Sequence, residues 1–232
     1  MKIAIGMITR NEREILEHTM FFKGNLFDYK FAVDFGSTDG TQTLLGSFGF
    51  DVHAQQWVKN YATARNILIQ MAEEAGMDYI FMLDADEAMF DSDLQKCVDY
   101  AEMGHEALTL ARVEFVQDFH HTDPSLYPDH QTRFFRLNKG NHFRNKVHEM
   151  LFPEKGVHAF ANVGATKVPF VHIFHYGRLK DKKKTVLKYV NYDKIVKGET
   201  PLKALPAGFD WENAKLFERC VEYTQPHPLQ HL

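Results

Sequence analysis

Three carboxylates crowd into Asp84-Ala85-Asp86-Glu87, directly after the apolar run 79–83. In an extended segment, residues two apart point the same way, so Asp84 and Asp86 can serve one ligand. Two other polar clusters also adjoin apolar runs. Thr9-Arg10-Asn11-Glu12 follows residues 3–8, and Asp34 stands just before Gly36-Ser37-Thr38-Asp39-Gly40-Thr41. Arg65-Asn66 lies early in a segment of helical spacing. Carboxylates with a guanidinium suit a nucleoside diphosphate held through a divalent cation. Oxygen ligands favour hard cations such as Mg²⁺ or Mn²⁺.

Strands and helices must deliver these groups to one edge. Residues 3–8 are continuously apolar, as in a strand buried on both faces. Asn11 with Glu14 three residues on has the pattern of a capping box, and Ile15, Leu16, Met20 and Phe21 follow at helical spacing. Residues 31–35, 52–55 and 79–83 read as further strands. Ser37-Thr38-Asp39-Gly40 reads as a turn and helix start. Ala64, Ile67, Leu68, Met71 and Ala75 form a helical stripe. This alternation predicts an α/β fold with a Rossmann-type, mainly parallel sheet flanked by helices. Ligands of such sheets bind beyond the carboxyl ends of the strands.

The pattern changes after residue 105. Segments 108–116, 132–137, 146–151 and 168–174 read as strands in mixed or antiparallel pairing, with a loop over 120–130. Segments 180–197 and 211–223 read as C-terminal helices, and the tail after Pro226 as frayed. No repeat or linker interrupts the chain, so one domain over 1–232 is expected.

The formal net charge of −4 exerts no global pull toward nucleic acid or anionic lipid. A local basic segment, Arg178, Lys180, Lys182, Lys183, Lys184, Lys188, Lys194 and Lys197, reads as a solvated helix face or as a contact for an anionic acceptor. Cys97 and Cys220 make no disulfide framework. The opening run is too short for a signal-peptide core or a membrane span. The expectation is a cytoplasmic protein, with peripheral attachment at the inner membrane face left open. Among His120, His121, His130, His142, His148, His172 and His175 there is no tight helical HxxxH spacing, and the two cysteines form no CxxC, which disfavours zinc.

The motifs resemble those of a known family. Ile8-Thr9-Arg10-Asn11-Glu12 is similar to the opening of the family-2 glycosyltransferases. Residues 33–41 (VDFGSTDGT) resemble their second-strand signature, with Phe35 where a small or polar residue is usual. Ala64-Arg65-Asn66 and Leu83-Asp84-Ala85-Asp86-Glu87, the DxD element, follow in order. Residues 127–136 (YPDHQTRFFR), Lys146-Val147-His148-Glu149 and 172–177 (HIFHYG) resemble a bacterial branch that includes lipopolysaccharide-core β-glucosyltransferases. The resemblance covers about 3–195.

It implies a GT-A-like fold in which residues 1–104 bind a nucleotide sugar and 105–232 shape the acceptor site. It further implies an inverting hexosyltransferase using a nucleotide-linked, most simply UDP-linked, sugar with Mn²⁺ or Mg²⁺. Thr9, Asn11, Glu12, Asp34, Arg65, Asp84 and Ala85 would hold the nucleotide sugar. Asp86 would ligate the metal, with His175 as a further contact. Glu149 would be the catalytic base and Asp129 its rival. Glu149 has a structural alternative, pairing with Arg144 or Lys146. The partners implied are a nucleotide-sugar donor and a glycan or lipid-linked glycan acceptor. A peptide or modified-DNA acceptor, a nucleotidyltransferase and a non-catalytic sugar-nucleotide-binding protein remain as alternatives.

Overall fold

The computed structural model describes residues 1–20, 26–156, 158–160, 164–179, 182–208 and 220–228. Its N-terminal half alternates β1 (Ile3–Thr9), α1 (Arg13–Thr19), β2 (Tyr29–Asp34), α2 (Thr41–Ser47), β3 (Asp51–Ala54), α3 (Tyr61–Glu74) and β4 (Tyr79–Met82). There follow β5 (Glu87–Ala88), α4 (Asp91–Glu102), β6 (Ala107–Val116), β7 (His121–Thr122), β8 (Asp129–Arg136), β9 (His142–Arg144), β10 (Met150–Phe152), β11 (Thr166–Arg178), α5 (Lys182–Val196) and β12 (Val221–Glu222).

One sheet runs β12-β7-β6-β8-β4-β1-β2-β3, with β11 and β5 attached beside β6. The strands β3, β2, β1 and β4 are mutually parallel. β8 enters antiparallel between β4 and β6. β9 and β10 form a separate antiparallel pair. The architecture is therefore mixed α/β with a parallel N-terminal half.

Strand alternation divides the core between two faces. Ile3, Ile5, Met7 and Phe81 face Leu16, Leu45, Leu94 and Cys97 of the helices on one side. Ala4, Phe31, Val33 and Ile80 face Ala64, Leu68 and Ala72 of α3 on the other, with Phe143 and Leu151. Gly6 lets the side chains of its neighbours close over β1, since a Cβ there would meet Ile80 Cδ1 of β4 at 3.1 Å, Phe31 Cε2 of β2 at 3.3 Å and Leu68 Cδ1 of α3 at 3.4 Å.

Several sequence expectations change. Asn11 does not cap α1: Glu12 is the N-cap residue, without a side-chain cap bond. Asn11 instead adopts φ 54°, and its Oδ1 accepts the Thr38 N–H at 2.8 Å. The Asn11, Glu12 and Arg13 N–H groups donate to Ser37 Oγ, Thr41 Oγ1 and Asp39 Oδ2. The 37–41 turn thus satisfies the helix start. Within 146–151 only Met150 and Leu151 are strand, because Asn145 and His148 take φ 76° and 52°. The 120–130 loop contains β7 and a 3₁₀ turn, Pro124–Leu126. The expected 211–223 helix lies mostly outside the described residues, and its end, Val221–Glu222, is strand. Beyond Pro226 the chain does not fray at once: His227 is buried, its Nδ1 3.2 Å from Tyr176 Oη.

Candidate active site

The Asp84–Glu87 turn sits at the carboxyl end of β4, at the centre of the sheet. It closes on itself, since the Asp84 N–H donates to Glu87 Oε2 at 3.0 Å and the Glu87 N–H to Asp84 O at 3.0 Å. Thr19 Oγ1 donates to Ala85 O at 2.7 Å, and the Tyr176 N–H donates to Asp86 O at 2.7 Å. Neighbouring elements therefore fix the backbone that carries both aspartates. Ala85 enters the site through this backbone.

Asp84 Oδ2 receives two guanidinium bonds, from Arg65 and Arg133, each at 2.8 Å. Burial opposes its charge, but Arg133 and Arg65 hold the carboxyl well below the usual carboxylate range. Asp84 Oδ1 is buried with no hydrogen-bond partner. Arg65 also donates through Nε to Glu149 Oε1 at 2.6 Å. Glu149 thus pairs with a residue 84 positions away, not with Arg144 or Lys146, the structural alternative.

The loop bearing Glu149 is docked on α3 at two more points. The Tyr61 N–H donates to Lys146 O at 2.9 Å. Asn66 and Phe143 exchange reciprocal amide bonds of 3.0 and 2.7 Å. The Ala64-Arg65-Asn66 motif therefore secures the β9–β10 loop to the central turn.

Asp86 is buried beside His175, with Oδ1 and Nε2 3.4 Å apart. His175 Nδ1 lies 2.8 Å from Glu114 Oε2, and Arg178 Nε lies 2.9 Å from Glu114 Oε1. Burial disfavours the imidazolium, yet Glu114 and Asp86 push His175 up to about 9. Gly177 lets this pair pack against its backbone: a Cβ there would fall 2.5 Å from His175 Nε2 and 2.6 Å from Asp86 Oδ2. Lys188 of α5 brings Nζ to 3.9 Å from Asp86 Oδ2.

A carboxylate and an imidazole nitrogen side by side, with the unpartnered Asp84 Oδ1 nearby in sequence, fit a divalent cation. Such an ion takes its remaining positions from phosphates and water. A carboxylate behind the imidazole, as Glu114 is here, is the usual support for a metal-binding histidine. Among the described residues no three His, Cys, Asp or Glu converge on one metal position. The protein's share of the ligands would therefore be small.

Asp129 stands apart from Glu149. Its Oδ2 pairs with Arg112 at 2.5 Å, and Oδ1 accepts from Gln131 at 2.9 Å. Arg112 lies 3.4 Å from Glu87 Oε1, which Arg133 also reaches at 2.9 Å.

The other expected contacts gather at the β1 and β2 ends. Asp34 is fully buried, and its two oxygens accept from Thr9, Gly36, Ser37 and Gln42. These bonds, led by Ser37, outweigh burial and lower its pKa. Much of Asp34's hydrogen-bonding capacity thus closes its own turn. Beyond Asn11, a cleft of about 470 Å³ is lined by Arg10, Asn11, Trp57, Lys59 and the 200–203 segment. Trp57 packs edge-on against Phe35 at 5.1 Å and Tyr61 at 4.9 Å.

Sequence reasoning overlooked Arg112, Glu114 and Arg133 as site residues. A signal was present: charged residues inside apolar strands, with Arg112 and Glu114 two apart and so on one face.

The sequence profile described as Glycosyl transferase family 2 matches residues 5–157. No curated protein matches the chain. The chain is similar in structure to S. aureus TarS 1–349 crystallised with UDP-GlcNAc. The TM-score is 0.53 at 13% identity, covering 84% of this chain and 70% of that one. A longer S. aureus TarS structure aligns with a TM-score of 0.45 at 16% identity, covering 59% of this chain and 28% of that one. The chain thus spans well under two thirds of that protein. At these identities the likeness is one of fold, the GT-A-like mixed α/β arrangement.

Proposed function

The chain belongs to glycosyl transferase family 2, and from that membership we propose that it moves a hexose from a nucleotide sugar, most simply UDP-linked, to an acceptor hydroxyl with inversion. The observation that carries the reading is the Asp84-x-Asp86 turn, with Asp84 gripped by Arg65 and Arg133 and Asp86 set against His175.

Thr9, Asn11, Glu12 and Asp34 border the nucleoside end, where the cleft beside Trp57 offers an aromatic face and the cations Arg10, Lys59 and Lys203. Asp84 faces the ribose or phosphates with its unpartnered oxygen. Asp86 and His175 would hold Mn²⁺ or Mg²⁺. A divalent cation there, when bound, offsets the charge on the departing diphosphate. Lys188 supplies a second positive charge to the same diphosphate.

Inversion requires the acceptor oxygen to attack the anomeric carbon from the face opposite the diphosphate. The hydroxyl proton then passes to a carboxylate, and Glu149 is the proposed base. Arg65 holds one of its oxygens in a fixed direction. A placed base contributes about 10²–10⁴-fold. The resemblance to lipopolysaccharide-core enzymes suggests a glycan or lipid-linked glycan acceptor. Among the described residues no helix is long and apolar enough to cross a membrane.

Release of UDP from UDP-glucose, UDP-galactose and UDP-N-acetylglucosamine in the presence of candidate glycans tests the reading. Glu149→Gln should lower kcat about 10²–10⁴-fold with little change in donor KM. Loss of that size in Asp129→Asn, with Glu149→Gln active, would move the base to Asp129. No release from any donor would overturn the assignment.

A further inference from the structure

A second groove, of about 350 Å³, lies between the 127–130 segment and the middle of β11. Its volume is at the lower end for ligand pockets, roughly 300–1,000 Å³. Along β6 and β8, Ala111 pairs with His130 while Arg112 pairs with Asp129. Successive residues of a strand point to opposite faces. His130 and the groove therefore lie on the face of the β6–β8 pair opposite the Arg112–Asp129 ion pair, outside the carboxylate cluster.

A bulge in β11 shapes the groove. Pairing with β6 is interrupted between Lys167 and His172. Val168 and Val171 are buried, whereas Pro169 and Phe170 are both exposed. Phe170 has φ 58° and is 86% exposed. A bulky residue in the left-handed region is disfavoured, and this one recovers nothing by burying its ring. Across the groove Tyr127 is 48% exposed, and its hydroxyl lies 3.1 Å from His172 Nε2. His130 and Lys167 complete a lining that mixes two accessible rings with polar groups.

A pyranose has the complementary character, with C–H faces that pack on aromatic rings and a rim of hydroxyls for imidazole, phenol and ammonium groups. A lipid surface fits less well. Two accessible rings and one lysine offer little apolar area or charge to an anionic bilayer, and the chain as a whole is at −4. We infer that the groove is a secondary saccharide-binding site, which holds a sugar unit of the acceptor glycan against Tyr127 and Phe170. This rests on the reading that the acceptor is a glycan.

Saturation-transfer NMR with cellotetraose, maltotetraose, laminaritetraose and chitotetraose tests the inference directly. At least one should bind the wild type. Its affinity should fall about tenfold in Phe170→Ala and Tyr127→Ala, and Phe170→Trp should restore it. Binding should persist in Asp86→Ala and with UDP present. Phe170 is exposed, so its variants should keep the wild-type Tm, which excludes misfolding as the cause of a loss. No saturation transfer to any tetrasaccharide, or equal affinity in Phe170→Ala, would overturn the inference. So would loss in Phe170→Ala of sedimentation with phosphatidylglycerol vesicles when no tetrasaccharide binds. Failure of the donor reading would show separately, as tetrasaccharide binding without any UDP binding.

Discussion

Arg65 Nε sits 2.6 Å from Glu149 Oε1, while Nη2 of the same guanidinium sits 2.8 Å from Asp84 Oδ2. One buried side chain therefore couples Asp84, proposed to face the nucleotide, to Glu149, proposed as the base. The planar fork of arginine can serve both at once, and the point charge of lysine cannot reproduce that geometry.

Arg65→Met should accordingly damage both stability and activity. Removing one partner from a buried ion pair costs about 3–5 kcal/mol, and Arg133 still serves Asp84 after the change. For a domain of this size that lowers Tm by about 6–20 °C. Misplacement of Glu149 should reduce kcat/KM by about 10²-fold. Arg65→Lys should recover part of the stability and little of the rate. Thermal melts with steady-state kinetics separate the two effects.

Gly177→Ala probes the space beside Asp86 and His175. The new methyl group would overlap His175 Nε2 and Asp86 Oδ2 unless both shift. Binding of Mn²⁺, followed by calorimetry, should weaken about tenfold or more. Far-ultraviolet circular dichroism should stay as in the wild type. Unchanged Mn²⁺ affinity would remove Asp86 and His175 from the metal assignment.

Lys188→Met should weaken UDP binding about tenfold at fixed Mn²⁺, about what one charge-assisted contact contributes. UDP affinity unchanged by the substitution would return Lys188 to the solvated face of α5.

Cys97 gives a prediction independent of function. Burial pushes its thiol from 9.0 up to about 12. Above pH 9 the unfolded chain loses this proton while the native state keeps it, so the native state binds more protons. Stability should therefore fall by up to about 1.4 kcal/mol per pH unit between pH 9 and 12. Cys97→Ala should remove that slope in urea denaturation series. In the native protein at pH 8, Cys97 should resist thiol reagents.

The N-terminal half was legible because strands buried on both faces read as unbroken apolar runs, as 3–8 and 79–83 do. The Asp84-x-Asp86 pair was legible because its residues lie two apart in one short segment. What joins Arg65 to Glu149, or His175 to Glu114, is pairing across 84 and 61 positions, which no local pattern encodes. α4 was overlooked although Asp91 and Asp93 begin it and Leu94, Cys97 and Ala101 line its buried side. Asn11 misled because Asn serves two purposes equally well, as a cap and as a left-handed corner.

The central claim is that Asp86 helps hold a metal-bound nucleotide diphosphate, and UDP binding with and without Mn²⁺ tests it most directly. At a ligand concentration 100 times Kd, binding stabilises the native state by about 2.7 kcal/mol. For a chain of this size the expected rise in Tm is about 5–11 °C. The account predicts that rise with UDP plus Mn²⁺, a much smaller one with UDP alone, and none in Asp86→Ala with both. An equal rise in wild type and Asp86→Ala, or a rise indifferent to Mn²⁺, would contradict it.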